Sequence, residues 1–272
     1  MDYKLPKRIE NSNKSTYGRV LNIAGSDYMS GAAYLSSVSA LKIGCGYCFL
    51  CSTERVIDAV AAQTQNIVFV PYSKLLENLK TADVVEIGCG LSLEPIAVEV
   101  FNTVIENIPQ STKLLIDADG LNILSKNPNK FMKRSLASVI LTPHPKEASR
   151  LLGISLDEVL ADVENSAKKI SQKYNSTVVL KTHKSVVVSP KKDIYVNNTG
   201  NNCMAKAGSG DVLSGMISGL WAQGMDDFDA VVTGVYLHGL CGDLAKEKLT
   251  EYSVNADDLI SFIPNAIRNN GL

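Results

Sequence analysis

The chain has 272 residues, of which 45% are hydrophobic and 20% charged, and its formal net charge is −1. This composition fits a large globular core, and we expect one domain over residues 1–272 with a polar N-terminal segment at 1–16. The balanced charge and the lack of a membrane-length apolar run argue against binding to nucleic acid or a membrane. The polar start, which has no secretory signal pattern, predicts a cytoplasmic protein.

The predicted elements of the first half alternate between apolar strands and amphipathic helices. Strands are expected at 19–24, 47–51, 67–70, 84–87, 114–116 and 139–141, and helices at 31–43, 52–62, 73–81, 95–108 and 146–152. Strands that are apolar on both faces are typical of a parallel sheet covered by helices on each side. The alternation therefore predicts a three-layer α/β fold.

The second half has a different pattern. Residues 156–174 predict one long amphipathic helix, and short strands at 177–180, 185–188 and 194–196 predict an antiparallel edge to the sheet. Helices at 211–223, 229–248 and 256–269 complete the chain.

Three of the six cysteines are spaced C-x-x-C-x-x-C, at Cys45, Cys48 and Cys51, like part of an iron–sulfur ligand run. However, this segment is also a predicted strand, which would turn Cys48 and Cys51 to opposite faces. No fourth cysteine follows at ligand spacing. We therefore expect buried free thiols.

Polar and glycine-containing stretches follow most of the predicted strands. In an open α/β sheet, ligands bind beyond the carboxyl ends of the strands, so these stretches are expected on one rim. They lie at 24–27, 88–90, 117–122, 142–147 and 181–184.

The segment 198–211 is rich in glycine and asparagine and runs directly into a predicted helix. Free N–H groups at a helix N-terminus favour an anion, most often a phosphate. Asp211, in the first helical turn, could accept a proton from a hydroxyl that attacks a terminal phosphate. An ordinary capped helix would explain Asp211 but not Gly208, Gly210 and the neighbouring asparagines.

Several motifs in order resemble those of the ADP- or ATP-dependent NAD(P)H-hydrate dehydratases of the ribokinase-like superfamily, from about residue 17 to 263. The motifs are YGRVLNIAGSDYMSGAA, EIGCGLS, LLIDADGLN, LTPHPKE, VVLKTHKSVVV, NNTGNNCMAKAGSGDVLSGMISGLWAQG and VYLHGLCGD. The resemblance implies a ribokinase-like three-layer α-β-α sandwich whose central sheet is mostly parallel with an antiparallel edge. We expect no room for the epimerase module that often precedes this domain.

The resemblance also implies a reaction and its participants. The substrate would be hydrated NADH or NADPH, the phosphoryl donor ADP or ATP, and Mg²⁺ would neutralise phosphate charge. Phosphorylation of the ring hydroxyl and loss of phosphate would restore the dinucleotide. A homotetramer is expected by analogy with the family.

By the same resemblance, Asp211 is the catalytic base, and the other roles fall into four groups. Ala33, Gly90, His144 and Asp211 would contact the hydrated dinucleotide; Lys181, Thr182, His183, Lys184, Ser185 and Gly210 the nucleotide; Asn201, Ala207, Gly208, Ser209 and Gly210 the phosphates; and Glu147 a magnesium-bound water.

Simpler interpretations stay open for several of these residues. His144 could be an ordinary loop histidine, Lys181 and Lys184 solvated turn lysines, and Glu147 a residue that only favours its helix N-terminus. Asp117 and Asp119 could cap the helix that follows them, and His238 is expected to be a packed core histidine. Lys146, where the family usually has glycine, adds charge and bulk near the substrate.

Two other functions compete with the dehydratase. A small-molecule kinase of the same fold, acting on a hydroxymethylpyrimidine or a hydroxyethylthiazole, would use the same base and anion loop. A non-catalytic nucleotide-binding protein is the third possibility, and the intact Asp211 and loop argue against it.

Overall fold

The computed structural model describes Tyr3 and residues 5–269, within which nine strands form one sheet. The spatial order is β3-β2-β1-β4-β5-β6-β7-β8-β9; β1 to β7 are parallel, and β8 and β9 add an antiparallel edge. The strands are β1 (Arg19–Ile23), β2 (Tyr47–Ser52), β3 (Val68–Pro71), β4 (Val84–Ile87), β5 (Lys113–Ile116), β6 (Val139–Leu141), β7 (Thr177–Leu180), β8 (Val186–Val188) and β9 (Ile194–Val196).

Twelve α-helices lie in the described part of the chain, on both faces of this sheet. They are α1 (Ser30–Lys42), α2 (Glu54–Ala61), α3 (Leu75–Leu79), α4 (Pro95–Asn107), α5 (Ala118–Lys126), α6 (Pro128–Met132), α7 (Pro145–Leu152), α8 (Leu156–Ala161), α9 (Val163–Tyr174), α10 (Ser209–Ala222), α11 (Asp227–Lys248) and α12 (Ala256–Asn269). Helices α1, α10, α11 and α12 share a core with one face, and α3 to α9 with the other. The predicted three-layer sandwich with an antiparallel edge is confirmed.

The two faces of the sheet follow from the alternation of side chains along each strand. On β2, Cys48 belongs to the core shared with α1, α10, α11 and α12, while Cys51 belongs to the core shared with α3 to α9. All six cysteines are buried and free, and burial raises the pKa of Cys45 and Cys51 to about 12. The expectation of buried free thiols is confirmed.

The predicted single helix over 156–174 is wrong, because it breaks into α8 and α9 at Asp162. Asp162 leaves the helical region (φ −148°, ψ 81°), and its carboxylate accepts a hydrogen bond from the N–H of Asn165. An acidic side chain that caps a new helix competes with continuation of the old one. Helices α5 and α6 lie outside the predicted helices.

The strands and helices described here all pack around this one sheet, whereas the predicted extent of a single domain, 1–272, stays a prediction. None of the helices in the described ranges combines the length and apolarity needed to cross a bilayer.

Candidate active site

A cavity of about 650 Å³ opens at the carboxyl end of β7, between the turn that follows this strand and the loop that precedes α10. Its wall includes His144, predicted to contact the hydrated dinucleotide, and residues predicted for nucleotide and phosphate binding: Lys181, Thr182, His183, Ser185, Asn201, Ala207, Ser209 and Gly210. Lys184, Gly208, Asp211, Ala33, Gly90 and Glu147 are not part of this wall. Helix α11 closes one side with Val235, His238 and Gly239, which the sequence pattern did not single out as site residues.

The N-terminus of α10 faces this cavity without a side-chain cap. Gly208 holds the N-cap position in a left-handed conformation (φ 91°), which turns the loop into the helix. The Lys181 ammonium nitrogen lies 3.4 Å from where a Cβ atom would stand at Gly210. The N-terminus without a side-chain cap, the positive end of the helix and the lysine therefore lie together at one point suited to an anion.

Asp211 is the third residue of α10, directly behind this point. Burial raises its pKa to about 6, and the nearby charge of Asp117 acts in the same direction. The Cys89 thiol and Lys181 partly oppose this shift. A carboxylate that is ionised near neutral pH yet holds a proton better than an ordinary aspartate is suited to act as a general base.

A buried ion pair supports the floor of the site. Lys181 Nζ donates to Asp117 Oδ1 at 2.6 Å, and Ser214 Oγ donates to Asp117 Oδ2 at 2.6 Å. Burial disfavours the charged lysine, but Asp117 more than offsets this, so the pKa of Lys181 is raised. The alternatives of a capping Asp117 and a solvated Lys181 are therefore wrong, since the Asp117 side chain makes no cap bond to α5.

His144 and Glu147 form a reciprocal cap at the start of α7. His144 Nδ1 accepts from the N–H groups of Lys146 and Glu147, and Glu147 Oε2 accepts from the N–H of His144. Burial lowers the pKa of His144 and raises that of Glu147 to about 7, so their 3.3 Å contact is no ordinary ion pair. With Nδ1 as acceptor, the neutral ring carries its proton on Nε2, toward Glu147.

The loop before α10 is anchored to α11 by Asp243. Its carboxylate accepts from the N–H of Gly200 at 3.0 Å and from Asn201 Nδ2 at 2.8 Å, and Asn201 Oδ1 accepts from the N–H of Cys203. The side chain of Asn201 is thus engaged in holding the loop. Sequence reasoning assigned no role to Asp243, although it ends the motif VYLHGLCGD.

A family model described as NAD(P)H-hydrate dehydratase matches residues 20–265 of this sequence. The chain belongs to the NAD(P)H-hydrate dehydratase family. An ADP-dependent (S)-NAD(P)H-hydrate dehydratase of Neisseria meningitidis is 37% identical over 88% of this chain and 81% of its own length. The bifunctional NAD(P)H-hydrate repair enzyme of Moorella thermoacetica is 34% identical over 98% of this chain, which spans about half (52%) of that relative.

Solved structures agree with membership of this dehydratase family. The ADP/ATP-dependent NAD(P)H-hydrate dehydratase of Bacillus subtilis, co-crystallised with ATP and Mg²⁺, superimposes with a TM-score of 0.86 at 30% identity over 98% of this chain and 94% of that one. A hydroxyethylthiazole kinase of Pyrococcus horikoshii shares the fold at a TM-score of 0.69 and 15% identity, over 94% and 92% of the two chains. At 15% identity this likeness shows only a common fold, so it gives no support to the kinase alternative.

Besides Asp211, two residues for which the dehydratase resemblance implies substrate contact, Ala33 and Gly90, are not part of the cavity wall. The side chain of Ala33 is fully buried in a cluster with Leu50 and Val56. Gly90 has φ 61°, and a Cβ there would stand 2.7 Å from Ala32 Cβ. Ala33 lies within the first half of α1 and Gly90 lies against it, and the roles of both residues stay predictions.

His238 is a packed core histidine, as expected, but it also reaches the site. It is 8% exposed, and its Nε2 lies 3.3 Å from Ser209 Oγ in the first turn of α10. Burial lowers its pKa to about 4, so the ring is neutral at physiological pH. Its contact with the anion loop spans 29 residues of chain, which no local pattern encodes.

Proposed function

We propose that this protein repairs hydrated NADH or NADPH (the S epimer) by nucleotide-dependent dehydration. The observation that carries the proposal is the position of Asp211, in the first turn of a helix whose uncapped N-terminus also faces Lys181. Family membership supplies the substrate class. The pairing of a base with an anion site is what phosphorylation of a hydroxyl requires.

The first chemical step would be phosphoryl transfer to the ring hydroxyl of the hydrate. The hydroxyl oxygen forms a bond to the terminal phosphorus of the nucleotide, the bond from that phosphorus to the bridging oxygen breaks, and Asp211 receives the hydroxyl proton. The N–H groups of the first turn of α10 and the Lys181 ammonium would stabilise the negative charge on the transferred group.

The second step would be elimination. The ring nitrogen donates its lone pair as the carbon–oxygen bond to phosphate breaks, and the neighbouring carbon loses a proton to restore the double bond. Phosphate is a far better leaving group than hydroxide, which explains why a nucleotide is consumed in a dehydration. The sum is hydrate plus nucleotide giving NADH or NADPH, hydrogen phosphate, a nucleotide shortened by one phosphate and one proton released to water.

The cavity beside the anion site would hold the nucleotide. Its wall carries Thr182, Ser185 and the exposed His183 on one side and the loop before α10 on the other. We also propose that His144, at the rim, contacts the hydrated dinucleotide with its half-exposed ring.

The described residues do not form a protein cage for Mg²⁺, since no group of three or more histidine, cysteine, aspartate or glutamate side chains is placed to hold a metal. Glu147, the predicted indirect contact, is 4% exposed and engaged with His144. The Mg²⁺ requirement, the homotetramer and the cytoplasmic location stay predictions.

The proposal is tested by incubating the protein with hydrated NADH and either ADP or ATP, with Mg²⁺, and following the absorbance of the restored dihydronicotinamide. We expect recovery with at least one donor, and the names of the relatives favour ADP. No recovery with either donor, together with a stable phosphorylated hydroxymethylpyrimidine or hydroxyethylthiazole product, would establish the kinase instead.

A further inference from the structure

Glu86 is a fully buried carboxyl group on β4, beneath the proposed site, with no cation paired to it among the described residues. It faces α10, where Ser218 Oγ lies against its Oε2 atom. Its register partner on β1 is Asn22. A buried carboxylate without a cation is costly, so the protonation state of this group needs an explanation.

The hydrogen-bond geometry around Ser218 supplies an explanation for the protonation state of Glu86. Ser218 Oγ contacts Glu86 Oε2 and also lies 2.5 Å from the carbonyl oxygen of Ser214. A hydroxyl has one proton and a carbonyl can only accept, so Ser218 cannot donate to both. If Ser218 donates to Ser214, the other contact needs a proton on Glu86. Asn22, on the paired strand, adds no compensating donor, because its Nδ2 group donates to Ser36 Oγ and Ser37 Oγ.

Contacts connect Glu86 both to the Asp117–Lys181 pair and to Asp211. Through Ser218 and Ser214 the chain of contacts reaches Asp117 and from there Lys181. On its other side, the Cys89 thiol lies 3.8 Å from Glu86 Oε1 and also lowers the pKa of Asp211 through a hydrogen bond.

We propose that Glu86 is a positioning residue that works as a neutral acid, donating its proton to Ser218 to hold the Ser214–Asp117–Lys181 chain and keeping a further negative charge away from the anion site. The inference rests on the proposed function. Ionised Glu86 would add a third carboxylate beside Asp117 and Asp211, against the single ammonium of Lys181 in this network. That excess would repel the phosphates of a nucleotide.

The electrostatic surroundings agree with this assignment. Burial raises the pKa of Glu86 to about 8, and the charges of Asp117 and Asp211 act in the same direction, while its contacts with Ser218 and Cys89 act in the opposite direction. The thiols of Cys45 and Cys48 also lie within electrostatic range, and burial raises the pKa of each.

The proton itself is tested without any assay of activity, by carbon-13 NMR of protein labelled at the glutamate carboxyl carbons. We expect one glutamate carboxyl resonance to have the chemical shift of the protonated form at about pH 7 and to titrate near pH 8. This resonance should be missing from the spectrum of Glu86→Gln. Glu147 is expected to give another late-titrating resonance, which Glu147→Gln assigns. If the late-titrating resonances of the folded wild type all belong to other glutamates, or none exists, the inference is overturned even if Glu86→Gln does not fold.

The positioning role is tested by calorimetric affinity for ADP, measured from neutral to alkaline pH. Wild type and the surface variant Glu99→Gln should lose affinity several-fold as Glu86 ionises, whereas Glu86→Gln, which cannot ionise, should stay flat. An equal loss in Glu86→Gln would refute the role. Because ADP binding is measured directly, a failure of hydrate turnover would count against the proposed function and leave this result unaffected.

Discussion

Lys181 and Asp117 meet at 2.6 Å across the carboxyl ends of β7 and β5, with β6 between these strands. The pair ties together two segments that are 64 residues apart, and it places an ammonium beside the N-terminus of α10. The site is therefore built on the strand order of the sheet rather than on any single loop.

Loss of this pair should be costly. Replacing Lys181 with methionine leaves Asp117 buried and uncompensated, and breaking a buried pair in this way costs about 3–5 kcal/mol. We expect a fall of that size in the free energy of unfolding, measured by urea denaturation, and weaker ADP binding. Lys184→Met, in the same turn but exposed, is the control; equal losses in both variants would contradict the structural role of the pair.

Asp211→Asn should lower turnover of hydrated NADH by orders of magnitude and change ADP affinity little, because only the proton acceptor is removed. Steady-state kinetics and calorimetry measure the two effects separately. Asp229→Asn is the matched control, since Asp229 is also the third residue of its helix, α11, but is exposed. Near-wild-type turnover in Asp211→Asn would reject the base assignment.

The pH dependence of turnover should reflect the ionisation of Asp211. The pKa of Asp211 is raised to about 6, and the base must be ionised to accept a proton. We therefore expect kcat/KM for the hydrate to fall as the pH drops through about 6 and to be level just above it. Circular dichroism over the same range checks that the fold persists; a flat acid limb in folded protein would count against Asp211.

Gly208→Ala should distort the loop before α10. At φ 91° any side chain is strained, and the new Cβ would stand 2.6 Å from Leu35 Cδ1 and 2.9 Å from Ala256 Cβ. We expect a loss of about 1–3 kcal/mol of stability together with weaker nucleotide binding. Gly153→Ala carries similar strain (φ 72°) with no atom within 4 Å, so it should lose some stability but no activity. If the two variants weakened nucleotide binding equally, the proposed role of the loop would be wrong.

Asp243→Ala should weaken the attachment of the loop before α10 to helix α11. The variant removes an acceptor shared by the Gly200 N–H and the Asn201 amide, and hydrogen bonds to charged groups contribute about 1.5–3 kcal/mol each. We expect a several-fold rise in the KM for ADP, with a smaller change in kcat, in steady-state assays. Glu247→Ala, one turn further along α11 and exposed, should behave as wild type. An unchanged KM would mean that Asp243 does not position the loop.

The sequence alone determined most of the strands and the glycine-containing loop that leads into α10, because both depend on local chemistry. Strands such as β4 and β7, covered on both faces, must be largely apolar, and a helix start that binds phosphate needs glycines and small residues in sequence. The position of Asp211 in the first turn of its helix follows from the same local pattern.

The tertiary structure alone decided how the distant parts of the site meet. The Asp117–Lys181 pair, the reach of His238 to Ser209 and the anchoring of the loop by Asp243 join residues separated by 29 to 64 positions. The break at Asp162 was missed because an amphipathic pattern continues across it, whereas a capping carboxylate ends the helix. Local periodicity records which face of an element is buried, but the order of strands in the sheet decides which buried and polar groups become neighbours.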